Sequence, residues 1–223
     1  MTLHSITEKD VPTSSSKSVI REYAEAIFIA VLLALFIRAF VVQAFKIPSG
    51  SMKTTLQIGD HILVNKFVYG VKIPFTDKEL LPIGHPSRQD IVVFRYPVDP
   101  SKDFIKRVIG LPGDTVLIRD KIVFVNGQQL EEPYAVFSDK RFLPATASPR
   151  DNMNAITVPE NSLFVMGDNR DESYDSRFWK FVDMSQLKGK AFIIYWSWNS
   201  DGQLSWSPES SYIRWNRLGR WLH

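Results

Sequence analysis

Few side chains in this 223-residue chain could carry out chemistry, and the absences narrow the field first. With no cysteine there is no thiol nucleophile, no disulfide framework and no Cys-ligated zinc or iron–sulfur site. The four histidines are poorly placed: His4 lies in a polar tail, His223 ends the chain, His85 sits in a loop bounded by Pro and Gly, and His61 opens an expected strand. A Ser–His–Asp triad needs a held imidazole, so only His61 and His85 qualify, and both read more simply as structural. The acidic run Asp168-Asn169-Arg170-Asp171-Glu172-Ser173 has Glu172 where a calcium loop needs its sharp-turning Gly. Gly110-Leu111-Pro112-Gly113-Asp114 lacks the Gly-Lys-Ser/Thr ending of a phosphate-cradling loop and reads as a turn. No metal and no cofactor is expected.

What remains is a serine and a lysine. Ser51 stands in Pro48-Ser49-Gly50-Ser51-Met52, where Pro and Gly fix a tight turn. Lys106 lies in Phe104-Ile105-Lys106-Arg107-Val108-Ile109-Gly110, an apolar strand able to desolvate an ammonium group. A lysine acts as general base only when neutral, so its pKa must fall from about 10.4 towards 7–8 by burial. On these residues alone, a pair of solvent-facing side chains is the simpler reading.

The elements that must position them fall into two parts. From Ala24 to Ala44 the strongly polar residues are Glu25, Arg38 and Gln43, and the 12 positions Ala26 to Ile37 are unbroken apolar. At 1.5 Å per residue, Ala24 to Ala44 would reach about 31 Å, close to the hydrocarbon thickness of a bilayer. The expectation is a polar tail over 1–22 and a transmembrane anchor helix over 23–45. A cleavable signal peptide fits less well, because Ile37-Arg38-Ala39-Phe40-Val41 puts an arginine and bulky residues where a small-x-small cut should fall. Lys17 and Arg21 on one side against Arg38, Lys46 and Lys53 on the other leave orientation undecided by charge.

Beyond the anchor, short apolar or alternating runs are bounded by Gly, Pro, Asn and Asp. Strands are expected at 62–65, 91–96, 104–110, 115–119, 122–125, 162–166 and 191–196, with Asn126-Gly127 as a hairpin turn. The fold class is mainly β: one antiparallel β-domain over 46–223, with an inserted cap or loop over about 130–160. Lys plus Arg (27) exceed Asp plus Glu (24) by only 3, and they are scattered, so no nucleic-acid partner is expected. All six tryptophans fall between Trp179 and Trp221, and three of them (Trp206, Trp215, Trp221) lie near Arg214, Arg217 and Arg220. That mixture suits either a membrane interface or ordinary core packing beside a solvated basic tail.

Four blocks in order, Pro48 to Leu56 (PSGSMKTTL), Asp90 to Pro97 (DIVVFRYP), Lys106 to Asp114 (KRVIGLPGD) and Gly167 to Trp179 (GDNRDESYDSRFW), resemble type I signal peptidase, the bacterial leader peptidase. The resemblance runs from the anchor to the C-terminus, and the final Arg217-Leu218-Gly219-Arg220-Trp221-Leu222-His223 looks more like the proteobacterial branch. It implies a membrane-bound serine endopeptidase that removes signal peptides from exported preproteins after small-x-small sites. In that reading Ser51 is the nucleophile and Lys106 the general base of a Ser–Lys dyad. Ser49, with the Ser51 amide, matches the oxyanion hole, and Ser173 matches the residue orienting the lysine amine. Arg107, Asp168, Asp175 and Arg177 match charged residues bracing the site. Ile47, Pro48, Met52, Leu56, Phe104 and Ile105 match the lining of shallow pockets that admit small side chains and exclude bulky ones.

The resemblance further implies a monomer in the cytoplasmic (inner) membrane, single-pass, with the catalytic domain on the periplasmic or extracytoplasmic face. Its partners would be the signal peptides of exported preproteins and the lipid bilayer. The chain departs from the family pattern at three positions: Thr54 where proline is usual, Gln89 where glycine often precedes the strand, and Lys180 where glycine commonly follows the tryptophan. None removes a catalytic atom, but Lys180 denies a residue tolerant of positive φ. Two rival readings are a specialised pilin- or conjugation-type processing peptidase with the same dyad, and a catalytically silent signal-peptide-binding paralogue. A self-cleaving repressor would need a DNA-binding domain where the apolar segment stands.

Overall fold

The structure, a computed structural model, describes residues 19–72, 79–81, 84–199 and 212–222, leaving aside the side chains of 39, 40, 71, 72 and 79–81. Residues 1–18 of the expected polar tail, with His4, Trp206 and His223, lie outside the described residues, while 19–22 of that tail are helical rather than irregular. Two compact units divide the chain, Met1–Ile37 and Arg38–His223.

The first unit is helix α1 (Val19–Phe36), none of whose residues is buried. Its opening turns carry Arg21, Glu22 and Glu25, with Arg21 Nε donating to Glu25 at 2.9 Å, so the apolar stretch starts only at Ala26. Among the described residues no helix is long and apolar enough to cross a membrane. The expected 23–45 helix is also cut short. Helical winding passes into a π-turn at Ile37–Val41 and stops there, and Val42–Lys46 is a strand.

The strands of the second unit, in chain order, are β1 (Val42–Lys46), β2 (Asp60–Asn65), β3 (Val71–Lys72), β4 (Glu79–Leu81), β5 (Ile91–Arg95), β6 (Asp103–Gly110) and β7 (Thr115–Arg119). Then follow β8 (Ile122–Val125), β9 (Gln128–Gln129), β10 (Met153–Thr157), β11 (Ser162–Met166), a one-turn helix α2 (Ser176–Trp179), β12 (Val182–Asp183), β13 (Leu187–Ser197) and β14 (Arg220–Trp221). The main sheet runs β1-β2-β13-β5-β6-β11-β12, with β14 also on β13; a smaller sheet runs β10-β7-β8-β9, and β3 pairs with β4. Every strand pairing among them is antiparallel. The mainly β, antiparallel architecture is as expected.

Central strands are buried on both faces, which is why β5 and β6 read as near-continuous apolar runs. Along β5, Ile91 and Val93 join a core with Ile47, Met52, Leu56 and Ile105, whereas Val92 and Phe94 join Val108, Leu163 and Val165 on the other side. Ile109, Phe164 and Met166 close a third core against Val116, Ile118 and Val123 of the smaller sheet. The Asn126-Gly127 turn has φ of 54° and 79°, the left-handed pair that a tight hairpin requires. The expected cap over about 130–160 is irregular only as far as Asn152, since β10 returns to pair with β7.

Candidate active site

Ser51 is held by a turn that crosses from β1 to β2. Lys53 N donates to Gly50 O and Leu56 N to Met52 O, and Ile47 and Gly59 close the base of the loop through Asp60 O and Ile47 O. Met52 and Leu56 plug this loop into the core below. Lys106 projects from β6, paired in register with Val92 of β5. Strand alternation puts it on one face with Phe104 and Val108, and Phe104 lays its ring 5.2 Å from the amine.

The two side chains meet. Lys106 Nζ lies 2.8 Å from Ser51 Oγ and 3.0 Å from Ile105 O, and both side chains are buried, Lys106 at 4% exposure. Burial pushes the Lys106 amine down from 10.5 to about 8, against the Asp175 and Asp168 carboxylates, which pull it up, and with the help of Arg177. Desolvation thus wins, and near pH 8 about half the molecules carry a neutral amine able to accept the Ser51 proton.

The third wall is the loop after β11. Ser173 is buried there, its hydroxyl towards the Asp175 carboxylate but outside good hydrogen-bond geometry. A Cβ on Gly167 would stand 2.2 Å from that Oγ and 2.4 Å from Ser51 O, so only glycine fits between the two serines. Asn169 ties the loop to the Ser51 turn: its N–H donates to Ser51 O and its side-chain amide to Gly50 O, each at 3.1 Å.

Two buried ion pairs hold this loop. Arg107 makes a two-pronged pair with Asp168, both contacts 2.8 Å, while Thr55 Oγ1 donates to the same carboxylate at 2.5 Å. Arg177 grips Asp175 with two contacts of 2.8 Å and donates to Arg170 O at 2.6 Å. Burial pushes the Asp175 carboxyl up, but the Arg177 charge and hydrogen bonds, with the Gly167 N–H, outweigh it and hold it below the usual carboxylate range.

The structure therefore brings Ser51, Lys106, Ser173, Arg107, Asp168, Asp175 and Arg177 together in one buried cluster. Pro48 and Ser49 are exposed on the turn. Of the residues expected to line substrate pockets, Ile47, Met52, Leu56 and Ile105 are core residues at 8% exposure or less, beneath the turn, and Phe104 is half-buried. A cavity of about 510 Å³ elsewhere, lined by Lys121, Ile122, Leu130, Phe137 and Phe142 among others, contains none of the site residues. Among the described residues no group of His, Cys, Asp and Glu could hold a metal ion. Sequence reasoning passed over Gly167, Asn169 and Thr55. The first two stand in the quoted GDNR block, but their use as spacer and clasp depends on a neighbour more than 100 residues away.

A mainly β fold with this buried cluster is matched by peptidases, and the chain is of the peptidase class. The chain belongs to the signal peptidase family, peptidase S26, which it matches over residues 20–196. It is 40% identical over 221 residues to signal peptidase I of Pseudomonas aeruginosa, covering 86% of this chain and 78% of that one. It is 35% identical over 228 residues to signal peptidase I of Aquifex aeolicus, covering 79% and 84%. A crystal structure of a signal peptidase I from Enterococcus faecalis, 35% identical, overlaps 48% of this chain and 96% of its own with a TM-score of 0.39.

Proposed function

We propose that this chain is a signal peptidase I that uses Ser51 as nucleophile and Lys106 as general base to cut signal peptides from exported preproteins after small-x-small sites. The observation that carries the reading is the 2.8 Å contact between Lys106 Nζ and Ser51 Oγ in a dry site that depresses the amine to about 8. The neutral amine takes the hydroxyl proton as Ser51 Oγ attacks the scissile carbonyl. The Ser51 N–H and Ser49 hydroxyl receive the developing oxyanion. The protonated amine then returns its proton to the leaving amine, and water repeats the sequence on the acyl-enzyme with the same base. Ser173 orients the amine, and a substrate strand adds beside the nucleophile turn, held by its backbone.

Membrane attachment fits the same reading. The helix Val19–Phe36 exposes Ile27, Phe28, Ile29, Leu32, Leu33 and Leu35, each more than half exposed, a surface that water solvates poorly and a bilayer accepts. The expectation follows that the catalytic unit works on the outer face of the cytoplasmic membrane, where signal helices present their cut sites.

The test is cleavage of a preprotein with a small-x-small site by the detergent-solubilised chain, with products resolved by mass. A single cut after the small residue, lost in Ser51→Ala and Lys106→Met, is the expected result. A folded wild type that cuts several ordinary preproteins nowhere would favour the specialised or silent paralogue.

A further inference from the structure

The segment before Phe137 turns tightly, the Ala135 N–H donating to Glu132 O at 3.0 Å, and three of its residues touch Arg107 and the Asp168–Arg170 stretch. Glu132 accepts from both terminal nitrogens of Arg170, at 2.7 Å from Nη1 and in a second contact from Nη2, although Arg170 is 1% exposed. Tyr134 sets its ring face 3.9 Å from the Arg107 guanidinium carbon and 6.0 Å from that of Arg170. Val136 adds a parallel backbone bridge: its N–H donates to Asp168 O at 2.8 Å, and its carbonyl accepts from Arg170 N at 2.9 Å. Arg170 Nε in turn donates to Gly167 O at 3.2 Å.

These contacts converge on the two guanidiniums that flank the site. Arg107 follows Lys106 in β6 and grips Asp168, and Arg170 reaches back to the glycine that separates Ser51 from Ser173. Resting on the Ser–Lys reading above, we infer that Glu132-Pro133-Tyr134-Ala135-Val136 is a strap, with Glu132 and Tyr134 as positioning residues that keep Gly167 to Arg170 pressed on the dyad and water away from Lys106. Glu132 acts by neutralising and orienting Arg170. Tyr134 acts by its ring face, covering one side of Arg107 while the Asp168 carboxylate fills its edge; a cation on an aromatic face in a dry site is an attractive contact. The Tyr134 hydroxyl, 3.4 Å from Glu132, contributes least.

The experiment uses the full chain in detergent with Glu132→Ala, Tyr134→Leu and Tyr134→Phe, reading kcat and KM separately and titrating the Lys106 amine directly by pH-dependent chemical labelling. If the strap acts as inferred, Glu132→Ala and Tyr134→Leu stay folded, lose about tenfold or more in kcat with KM within about twofold, as expected for a site loosened by an ångström or less, and titrate Lys106 at higher pH than wild type because water enters. Tyr134→Phe restores most of the loss. Folded Glu132→Ala and Tyr134→Leu proteins with wild-type kcat and an unmoved Lys106 titration would overturn the strap. Should Glu132→Ala fail to fold, Tyr134→Leu against Tyr134→Phe decides alone, equal titrations being the contrary result. Because labelling needs no substrate, a wild type inactive on preproteins would sink the functional reading while the strap is still judged by the amine.

Discussion

Asn169 donates its backbone N–H to the carbonyl of Ser51 at 3.1 Å, joining the backbone of the proposed nucleophile to a loop 118 positions further along the chain. With the Asn169 side chain on Gly50 O at 3.1 Å, the turn that presents Ser51 is fixed from the side opposite its hydrophobic plug. The dyad distance therefore depends on the loop after β11 as much as on the strand that carries Lys106. Several outcomes can be expected from that dependence.

Gly167→Ala places a methyl against Ser173 Oγ and Ser51 O at 2.2 and 2.4 Å, distances that force one wall of the site to move. We expect a folded protein with kcat lowered about a hundredfold and much less change in KM, since a shift of about 1 Å at the reacting atoms can cost that much. Steady-state kinetics on one preprotein checks it; activity within a few-fold of wild type would mean that the two serines need not be so close.

Ser173→Ala removes the buried hydroxyl that lies across Gly167 from Ser51. Because that oxygen makes no well-formed hydrogen bond and touches only weakly on the Asp175 carboxylate, its loss should leave thermal stability nearly unchanged while cutting kcat by about ten- to a hundredfold, the range of a general-base step losing its alignment. An unaltered kcat would remove Ser173 from the site.

Lys180 carries φ of 75° at the end of α2, a left-handed position that a non-glycine side chain occupies at a cost of about 1–2 kcal/mol. Its side chain is exposed and is not among the charges that shift the Lys106 amine, so Lys180→Gly should raise Tm by a few degrees, about 2–4 °C per kcal/mol for a protein of this size, without altering the site's pH profile. A lower Tm, measured by scanning calorimetry, would show that the Lys180 side chain contributes more than the strain it causes. Gln89 adopts φ of 72° in the same way, but its side chain also donates to Glu131 O, so the gain from Gln89→Gly should be smaller.

Arg217 reaches from the C-terminal segment to the fully buried Asp60, with contacts of 2.5 to 3.2 Å, and donates to Thr55 O in the nucleophile turn at 2.9 Å. Arg217→Ala would leave the Asp60 carboxylate in the core with only Ser197, the Gln57 amide and a longer contact to Arg214. We expect a loss of about 3 kcal/mol, seen as a lower denaturant midpoint. A loss below about 1 kcal/mol would mean that Arg214 can replace it.

Much of this arrangement is legible in the sequence, and the exceptions have physical causes. Strands β2, β5, β6, β7, β8, β11 and β13 are found within a few residues of their expected bounds because they are bounded by turn residues and carry enough apolar side chains to show. The two- and three-residue strands β3, β4, β9, β12 and β14 are too short to leave a pattern. Strand β1 is not legible either, since Val42-Gln43-Ala44-Phe45-Lys46 prolongs an apolar run whose period does not tell helix from strand. That difference matters in practice: deleting residues 1–45 would strip β1 from β2, whereas a cut after Ile37 leaves the unit Arg38–His223 whole. Strand β10, Met-Asn-Ala-Ile-Thr, is too polar to announce itself within the expected cap. For the site, the residue types of the dyad and its bracing charges are readable, and the strain foreseen at Lys180 is present. The clasp of Asn169, the spacing by Gly167 and the inward face of Glu132, Tyr134 and Val136 arise only when distant segments meet.

The most direct test of the dyad is the pH dependence of cleavage under single-turnover conditions, compared with the titration of the Lys106 amine. Desolvation holds that amine at about 8 in the folded protein, and only its neutral form can accept the Ser51 proton. The rate should therefore be level above the midpoint and fall about tenfold for each pH unit below it, with Lys106→Met flat and near zero throughout. A wild-type rate that stays constant from pH 8 to pH 5 in intact protein, or a Lys106→Met variant that retains activity, would contradict Lys106 as the base.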